Sequence, residues 1–387
     1  MNRHIIVGMQ ILNQHQWLKD HAVVVEEKTI KAIIPANMIN HHLPAKMHHF
    51  PNDYYLSPGL IDLHIHGAAK HDVMDGSIEA LHAISHALVK EGVTGFLATT
   101  MTAKNDHLET VLHTIPLAIQ ENKGSEILGV HLEGPFIAKE KVGAQNNLFT
   151  QLPNITLIHQ WQKIAQGAIK LVTLAPELPG AIEFIQQLCH LGIIASIGHS
   201  DASYDETNLA INAGCTHSTH LFNAMRTLHQ REPGVTGAIL LADHVTAEII
   251  VDGIHLHPGI VKLILHCKKK DNLILITDAM RAKCLRNGKF ELGGQLVTVE
   301  NGKATLPDGT LAGSTLRLPQ AIKHMQQFTD CSLIDAIAMA SINPACVLGI
   351  DRYKGSIEIG KHADLVVFDA NLEVIMTFLS GEVAHPK

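Results

Sequence analysis

Features that define several common protein classes are missing from this sequence of 387 residues. It has no stretch of about 18 uninterrupted apolar residues, so we expect no membrane-spanning helix. The N-terminal apolar run is too short for a secretory signal and is not followed by a small-residue cleavage site. The formal net charge is −7, whereas a nucleic-acid-binding protein normally carries a basic surface. We therefore expect a cytoplasmic protein that binds neither membranes nor nucleic acids.

Paired cysteines and several catalytic motifs are also missing. The six cysteines are scattered without a CxxC pair, which favours free thiols in a reducing compartment over a disulfide framework. "GHSDA" (198–202) has Ala202 where a G-x-S-x-G elbow needs its second glycine. "GKATL" (302–306) lacks the upstream glycine of a P-loop, and no G-x-G-x-x-G follows a predicted strand. These absences argue against a serine-hydrolase elbow, a P-loop and a dinucleotide site.

From residue 55 onward, short apolar runs alternate with amphipathic, helix-like segments. Hydrophobic residues make up 46% of the chain, which is enough for a large core. Eight runs are candidate strands: 59–67, 93–100, 126–134, 169–177, 193–200, 215–223, 247–255 and 273–280. Alternating strands and helices predict parallel strands, and eight repeats predict a closed (β/α)8 TIM-like barrel.

The two ends of the chain read differently from its middle. Residues 1–54 and 350–387 contain short strands and turns, and we expect them to form one small β-sandwich domain. The barrel domain then covers residues 55–349, with a glycine-rich β-hairpin insert near 287–314. The histidine-rich stretch 40–49 lies among polar residues and proline, and we expect it to be a solvated loop.

Metal-ligand residue types stand at the ends of several predicted strands. In "GLIDLHIHG" (59–67) the period-2 alternation of a strand places His64 and His66 on one face. Four further residues end other strands, and they are Glu133, His199, His220 and Asp278. Because the carboxyl ends of barrel strands face the active site, we expect these side chains to meet. Imidazoles and carboxylates together are typical ligands of a divalent metal.

Each of these residues has a structural explanation when it is taken alone. His199 or His220 could be a hydrogen-bonded core histidine, Asp278 could cap a helix, and Glu133 could pair with a lysine. Several ionisable groups that converge in a barrel mouth would nevertheless need partners, because unpaired buried charge is costly. A metal ion supplies that partner. We expect one or two divalent ions per subunit, with zinc first and iron, cobalt or manganese as alternatives.

The ordered motifs of the chain resemble the amidohydrolase superfamily and, within it, the N-acetylglucosamine-6-phosphate deacetylase family. The resemblance rests on "PGLIDLHIHG", "GVHLEGPF", "IGHSDA", "THLFNAM", "REPG", "VDGIHLHP", "TDAM" and "GTLAGS", which span residues 58–314, and on "ADLVVFD" (363–369). It implies removal of the acetyl group from N-acetyl-D-glucosamine 6-phosphate to give D-glucosamine 6-phosphate and acetate, in amino-sugar catabolism. It also implies a homodimer or homotetramer.

The resemblance implies a role for each matching position. Glu133, His199 and His220 would hold the principal metal, with His64 and His66 at a second metal position. Asp278 would be the catalytic acid and base. The implied substrate-binding residues are Ala144, Gln145, Asn223, Ala224, Arg231, His255, Leu311, Ala312 and Gly313. Arg231 would bind the phosphate and could come from a neighbouring subunit.

One departure and three alternatives accompany this interpretation. Some members of the family have a histidine where this chain has Gln145, and glutamine can hydrogen-bond but cannot carry a proton. The substrate could be another N-acetylated sugar phosphate, such as N-acetylgalactosamine 6-phosphate, or a cyclic amide. The third alternative is a non-catalytic binding homologue, whose usual mark would be the loss of metal ligands or of the aspartate.

Overall fold

A computed structural model of the protein describes residues 3–39 and 44–386. Its strands are β1 (Arg3–Val7), β2 (Gln10–Asn13), β3 (Gln16–Leu18), β4 (His21–Glu26), β5 (Thr29–Pro35), β6 (Lys46–His49), β7 (Tyr55–Pro58), β8 (Leu60–Ile65), β9 (Gly67–Ala68), β10 (His71–Asp72), β11 (Val93–Thr99), β12 (Glu126–Glu133), β13 (Ile169–Leu174), β14 (Ile194–Ile197), β15 (His217–Ser218), β16 (Thr246–Ile249), β17 (Leu273–Leu275), β18 (Gly288–Leu292), β19 (Gln295–Glu300), β20 (Lys303–Thr305), β21 (Leu365–Phe368), β22 (Val374–Leu379) and β23 (Glu382–Pro386). Its α-helices are α1 (Ile78–Val89), α2 (Asn105–Glu121), α3 (Ile155–Ile164), α4 (Ala181–His190), α5 (Tyr204–Ala213), α6 (Gly234–Leu241), α7 (Pro258–Cys267), α8 (Leu318–Phe328), α9 (Leu333–Ala338) and α10 (Ile342–Val347).

Eight of the described strands form one parallel sheet, in the order β17-β16-β15-β14-β13-β12-β11-β8. The sheet closes where β8 meets the segment after β17. There the amide of Asp278 donates to the carbonyl of His64 over 2.8 Å, and the amide of His66 donates to that of Ala279 over 2.9 Å. Strands β8 and β11 are buried along their whole length, as expected when helices cover one face and packed side chains the other. Each of the eight strands predicted from the sequence overlaps one barrel strand, which confirms the (β/α)8 prediction.

Helix α1 illustrates how the local sequence sets the barrel's outer layer. The hydroxyl of Ser77 caps the helix by accepting a hydrogen bond from the amide of Ala80 over 3.2 Å. Leu81, Ile84 and Leu88, spaced three and four residues apart, are buried on the face that packs against the barrel. Within the described ranges, no helix combines the length and apolar content that a membrane crossing requires.

Strands from both ends of the chain form two further sheets. One has the order β5-β4-β1-β6, and the other has the order β23-β22-β21-β7-β2-β3. Strand β7 pairs antiparallel with β21, so the second sheet joins the two ends. Ile6 and Val23 of the first sheet and Leu56, Leu365 and Phe378 of the second belong to one apolar cluster. This packing confirms the predicted sandwich built from both termini, while the residue boundaries between the two domains stay a prediction.

The expectation of a solvated loop over 40–49 is wrong for residues 46–49. Residues 40–43 lie outside the described residues. Strand β6 pairs parallel with β1, and His48 is buried, with its ring stacked on that of His4 and Phe378 at the edge of both rings. His4 Nδ1 and His48 Nε2 lie 2.8 Å apart, so one ring donates a hydrogen bond and the other accepts it. The histidine is therefore part of a sheet core, which a polar run does not reveal in the sequence.

The glycine-rich insert forms a small antiparallel sheet in the order β18-β19-β20. Leu292 and Val297 of this sheet share an apolar cluster with Met101, Met280 and Ala312, which flank the carboxyl ends of the barrel strands. The insert therefore forms one wall over the barrel mouth.

We predict that the pair of His4 and His48 makes stability depend on pH. Burial is the largest cause and lowers the pKa of both rings, and the pKa of His48 falls to about 4. The nearby charge of Lys46 also lowers both pKa values, whereas Glu382 opposes the shift at His4. The pKa of each ring in the folded protein lies below its unfolded value of about 6.5. The contribution of the two neutral rings to the free energy of unfolding is therefore complete above a pH of about 6.5 and is lost as the pH falls towards 4.

Urea unfolding at pH 6.5 and pH 5 measures this loss. His48→Gln keeps a hydrogen-bond partner for His4 but takes up no proton there. The wild type should lose about 1–2 kcal/mol more than this variant between the two pH values. Equal losses in the two proteins would contradict the prediction.

Candidate metal centre and active site

The strand ends of the barrel bring together all six residues that the sequence predicted as metal ligands or as the catalytic acid and base. They are His64, His66, Glu133, His199, His220 and Asp278, each at most 9% exposed. His199, His220 and Asp278 have positive φ angles of 49°, 28° and 48°. Residues other than glycine rarely adopt positive φ angles, because the side chain then crowds the backbone. Backbone strain of this kind persists where the surrounding structure enforces it, often at functional sites.

The Glu133 carboxylate lies at the centre of this group. Its Oε1 is 3.1 Å from Nε2 of both His199 and His220, and those two nitrogens are 3.1 Å from each other. His64 Nε2 is 3.4 Å from the same oxygen, and His66 Nε2 is 3.2 Å from Oε2. Glu133 thus belongs to two overlapping triads, one with His199 and His220 and one with His64 and His66, and in each triad the candidate ligand atoms lie within 4.8 Å of one another.

Asp278 faces the second of these triads. Its Oδ1 lies 3.4 Å from His64 Nε2 and 3.2 Å from His66 Nε2. Burial opposes ionisation of this carboxyl, but positive charge on the facing rings of His64 and His66 would outweigh it and lower its pKa to about 2. A cation held among neutral rings would favour the ionised carboxylate in the same way. Asp278 is therefore a carboxylate at neutral pH, able to accept a proton.

Three of the imidazole rings are oriented from behind through Nδ1. That atom contacts the carbonyl oxygen of Lys141 in His199 (2.8 Å), that of Thr99 in His66 (3.2 Å) and the Glu248 carboxylate in His64 (3.0 Å). Because these oxygens accept hydrogen bonds, Nδ1 carries the ring hydrogen and Nε2 keeps its lone pair.

The donor chemistry of this group fits a bound cation. In the neutral rings the Nε2 lone pairs point at carboxylate oxygens that also carry lone pairs, and such contacts repel unless a positive charge lies among them. His64 Nε2 has no hydrogen-bond partner among the described residues. Closely spaced imidazole nitrogens and carboxylate oxygens are the ligands that zinc and similar divalent ions take in proteins.

A cavity of about 370 Å³ opens above the carboxylates and imidazoles. Most of the residues that the sequence predicted for substrate binding line it: Ala144, Gln145, Asn223, Ala224, His255, Leu311 and Gly313. Ala312 is instead fully buried in the apolar cluster beneath the insert. Arg231 is exposed on the surface and is not part of the lining.

Two of the lining residues have contacts that the sequence did not indicate. The amide group of Gln145 donates to Glu133 Oε2 over 2.6 Å and accepts from the amide of Thr102 over 2.6 Å, so it holds the carboxylate in place. His255 Nδ1 lies 2.7 Å from the carboxylate of Asp252. Burial lowers the pKa of this ring, but the carboxylate outweighs that effect and raises the pKa of His255 above its ordinary value. A hydrogen-bonded, readily protonated imidazole in the wall suits an anionic group of a ligand.

The sequence analysis missed several residues of the site. Met101, Glu140, Lys141, Gly143, Leu292 and Thr310 also line the cavity. Lys141 has a second role, because its carbonyl orients His199. Lys141 belongs neither to a metal-ligand pattern at a strand end nor to a quoted motif, so its role has no signal in the sequence. Asp252 lies in "VDGIHLHP", but its contact with His255 appears only in the structure.

Comparison with known proteins agrees with this geometry. Residues 55–384 match the model of the amidohydrolase family. The chain is 43% identical to the N-acetylglucosamine-6-phosphate deacetylase of Bacillus subtilis (strain 168), over 98% of this chain and 96% of the relative. It is 34% identical to the N-acetylgalactosamine-6-phosphate deacetylase of Escherichia coli O157:H7, over 98% and 99%.

A solved structure is similar along almost the whole chain. The N-acetylglucosamine-6-phosphate deacetylase of Pasteurella multocida superposes with a TM-score of 0.92 at 30% identity, and the match covers 98% of this chain and 99% of that one. Fold, ligand arrangement and sequence similarity therefore lead to one conclusion, that this chain belongs to the amidohydrolase family.

Proposed function

We propose that this protein removes the acetyl group from N-acetyl-D-glucosamine 6-phosphate, releasing D-glucosamine 6-phosphate and acetate. The observation that carries the proposal is the convergence of Glu133, His199, His220 and Asp278 at the floor of one cavity. Its substrate follows from the near-complete coverage of the Bacillus subtilis deacetylase at 43% identity. The Escherichia coli relative, at 34%, makes the galactosamine epimer the first comparison substrate.

The ligand set supports a proposal for where the metal on which this family depends would bind. Glu133, His199 and His220 would hold one cation, and His64 and His66 would provide a second position beside Asp278. Zinc is the ion we propose, since imidazole and carboxylate ligands suit it, although they also accept iron, cobalt or manganese. When bound, a divalent cation lowers the pKa of water and polarises the acetyl carbonyl.

Asp278 is proposed as the catalytic acid and base. Its carboxylate accepts a proton from the attacking water, whose oxygen forms a bond to the acetyl carbon. Asp278 then returns the proton to the amide nitrogen as the carbon–nitrogen bond breaks, so that a neutral amine and acetic acid form. The second water proton leaves the acid for the amine or the solvent, which gives acetate. Oδ1 lies within 3.4 Å of Nε2 of both His64 and His66, so the carboxylate stands beside the second proposed metal position.

The remaining lining residues are assigned to the sugar and its phosphate. Asn223, the backbone amide of Ala224 and His255 would bind the phosphate side, while the backbone of Leu311 and Gly313 would face the sugar. Ala312 supports that backbone from the buried side. Gln145 would bind substrate only through an amide group whose two polar ends already contact Glu133 and Thr102.

Arg231 is proposed to act across a subunit interface. It is exposed and lies outside the lining of its own cavity, whereas a planar guanidinium suits a phosphate dianion. A neighbouring subunit of a homodimer, or of a homotetramer built from such dimers, would receive it. Each active site would then be complete only in the oligomer.

We predict that Asp278→Asn retains metal and loses most turnover. Asparagine keeps the shape of the side chain but cannot accept the proton, so kcat for acetate release from N-acetyl-D-glucosamine 6-phosphate should fall about 10²- to 10⁴-fold. Metal per subunit, measured by mass spectrometry, should be unchanged. The control is Asp205→Asn, which alters an exposed carboxylate on α5. A near-native rate in the Asp278 variant would refute its assignment.

We also predict that two inactive variants restore activity when their subunits are mixed. Arg231→Gln removes the phosphate ligand, and Asp278→Asn removes the proton acceptor. If Arg231 reaches the partner's cavity, each hybrid dimer regains one intact site, so about a quarter of wild-type activity returns on random exchange. If Arg231 serves its own subunit, mixing the variants restores nothing.

A further inference from the structure

The barrel interior holds a buried carboxylate for which the proposed reaction has no use. Glu248 lies in β16 within the apolar run "AEIIV", and its side chain is fully buried. An ionised carboxylate removed from water is costly unless charges or hydrogen bonds compensate for it. Its contacts therefore indicate what it stabilises.

Glu248 joins two segments that carry candidate metal ligands. Its Oε2 lies 3.0 Å from His64 Nδ1 and accepts a hydrogen bond from the backbone amide of His220 over 3.2 Å. His64 lies in β8 and His220 follows β15, and these two strands are not neighbours in the sheet. One carboxylate oxygen thus links the first strand of the barrel to the strained backbone of His220, whose φ is +28°.

The same oxygen already contacts the His64 ring and the His220 amide. Ligand atoms of His64, His131 and Glu248 do lie within 4.8 Å of one another. His64 Nδ1, however, already faces Glu248, and His131 Nε2 bonds to the hydroxyl of Thr173 over 2.7 Å. Oε2 of Glu248 is therefore engaged behind the His64 ring, while Oε1 has no hydrogen-bond partner among the described residues and lies 3.7 Å from His217 Nε2.

We propose that Glu248 is a positioning residue for the second metal position, which it supports through His64. A neutral imidazole carries a single ring hydrogen, and the carboxylate fixes it on Nδ1, so that Nε2 presents its lone pair to Glu133 and Asp278. His66 and His199 face uncharged carbonyl oxygens, so His64 alone among these three rings has a charged acceptor behind it. This inference rests on the proposed metal-dependent function.

The test is a zinc titration of chelator-treated protein against a chromophoric competitor, with metal counted by mass spectrometry. Wild type should bind two equivalents. Glu248→Gln keeps the side-chain size but removes the charge, and it should weaken the second equivalent about ten- to a hundred-fold while the first is retained. Adding Glu248→Gln to a His64→Ala variant should change zinc binding no further, because the carboxylate acts through that ring.

Asp62→Asn is the matched control. Asp62 is a second fully buried carboxyl in β8. It accepts hydrogen bonds from the Thr277 hydroxyl over 2.5 Å and from the backbone amides of Thr277 and His64 over 3.3 Å, and it contacts no imidazole ring among the described residues. Its removal should leave both equivalents in place. If Glu248→Gln does not fold, as judged by circular dichroism, Glu248→Asp keeps the charge but shortens the reach, and it should show the same selective loss.

The outcomes separate this inference from the proposed reaction. The inference about Glu248 is overturned if the folded Glu248 variant binds two zinc equivalents with wild-type affinity. It is also overturned if the wild type binds a single equivalent. Acetate release is measured on the same samples. If the wild type has no deacetylase activity and the Glu248→Gln variant still binds its second zinc equivalent more weakly, the proposed function is refuted. The role of Glu248 then stands.

Discussion

The Glu133 carboxylate governs the arrangement of this site, because four imidazole rings converge on its two oxygens within 3.4 Å. These groups come from distant parts of the chain and are all buried. Without a cation among them, their lone pairs and charges would oppose folding, since unpaired charge in an apolar interior is costly. We therefore expect the metal both to take part in catalysis and to stabilise the folded structure of the barrel mouth.

The closed barrel makes this convergence possible. Hydrogen bonds between His64 and Asp278 and between His66 and Ala279 join the last strand to the first, so the two ends of the ligand sequence become neighbours. A further set of contacts holds the ligands from behind: Gln145 on Glu133, the Lys141 carbonyl on His199 and Glu248 on His64. A site held on rigid strand ends and oriented from behind keeps its geometry when substrate arrives.

The strand positions and the order of ligands could be predicted because both follow from local rules. Parallel barrel strands read as short apolar runs, and their carboxyl ends all face one side. The missed features depend on pairing across long stretches of chain. The sequence of strand β6 is typical of a polar loop, and only its pairing with β1 makes it a strand. Glu248 lies in an apolar run, and its role depends on His64, which is 184 positions away in the chain. The surface position of Arg231 likewise depends on tertiary structure, which its short "REPG" motif does not contain.

Anomalous diffraction at the zinc absorption edge, from crystals grown with zinc, tests the central claim most directly. The account predicts a peak about 2.0–2.2 Å from Nε2 of His199, Nε2 of His220 and a carboxylate oxygen of Glu133. Zinc found only at surface histidines, with these three side chains bonded to protein or water alone, would contradict it.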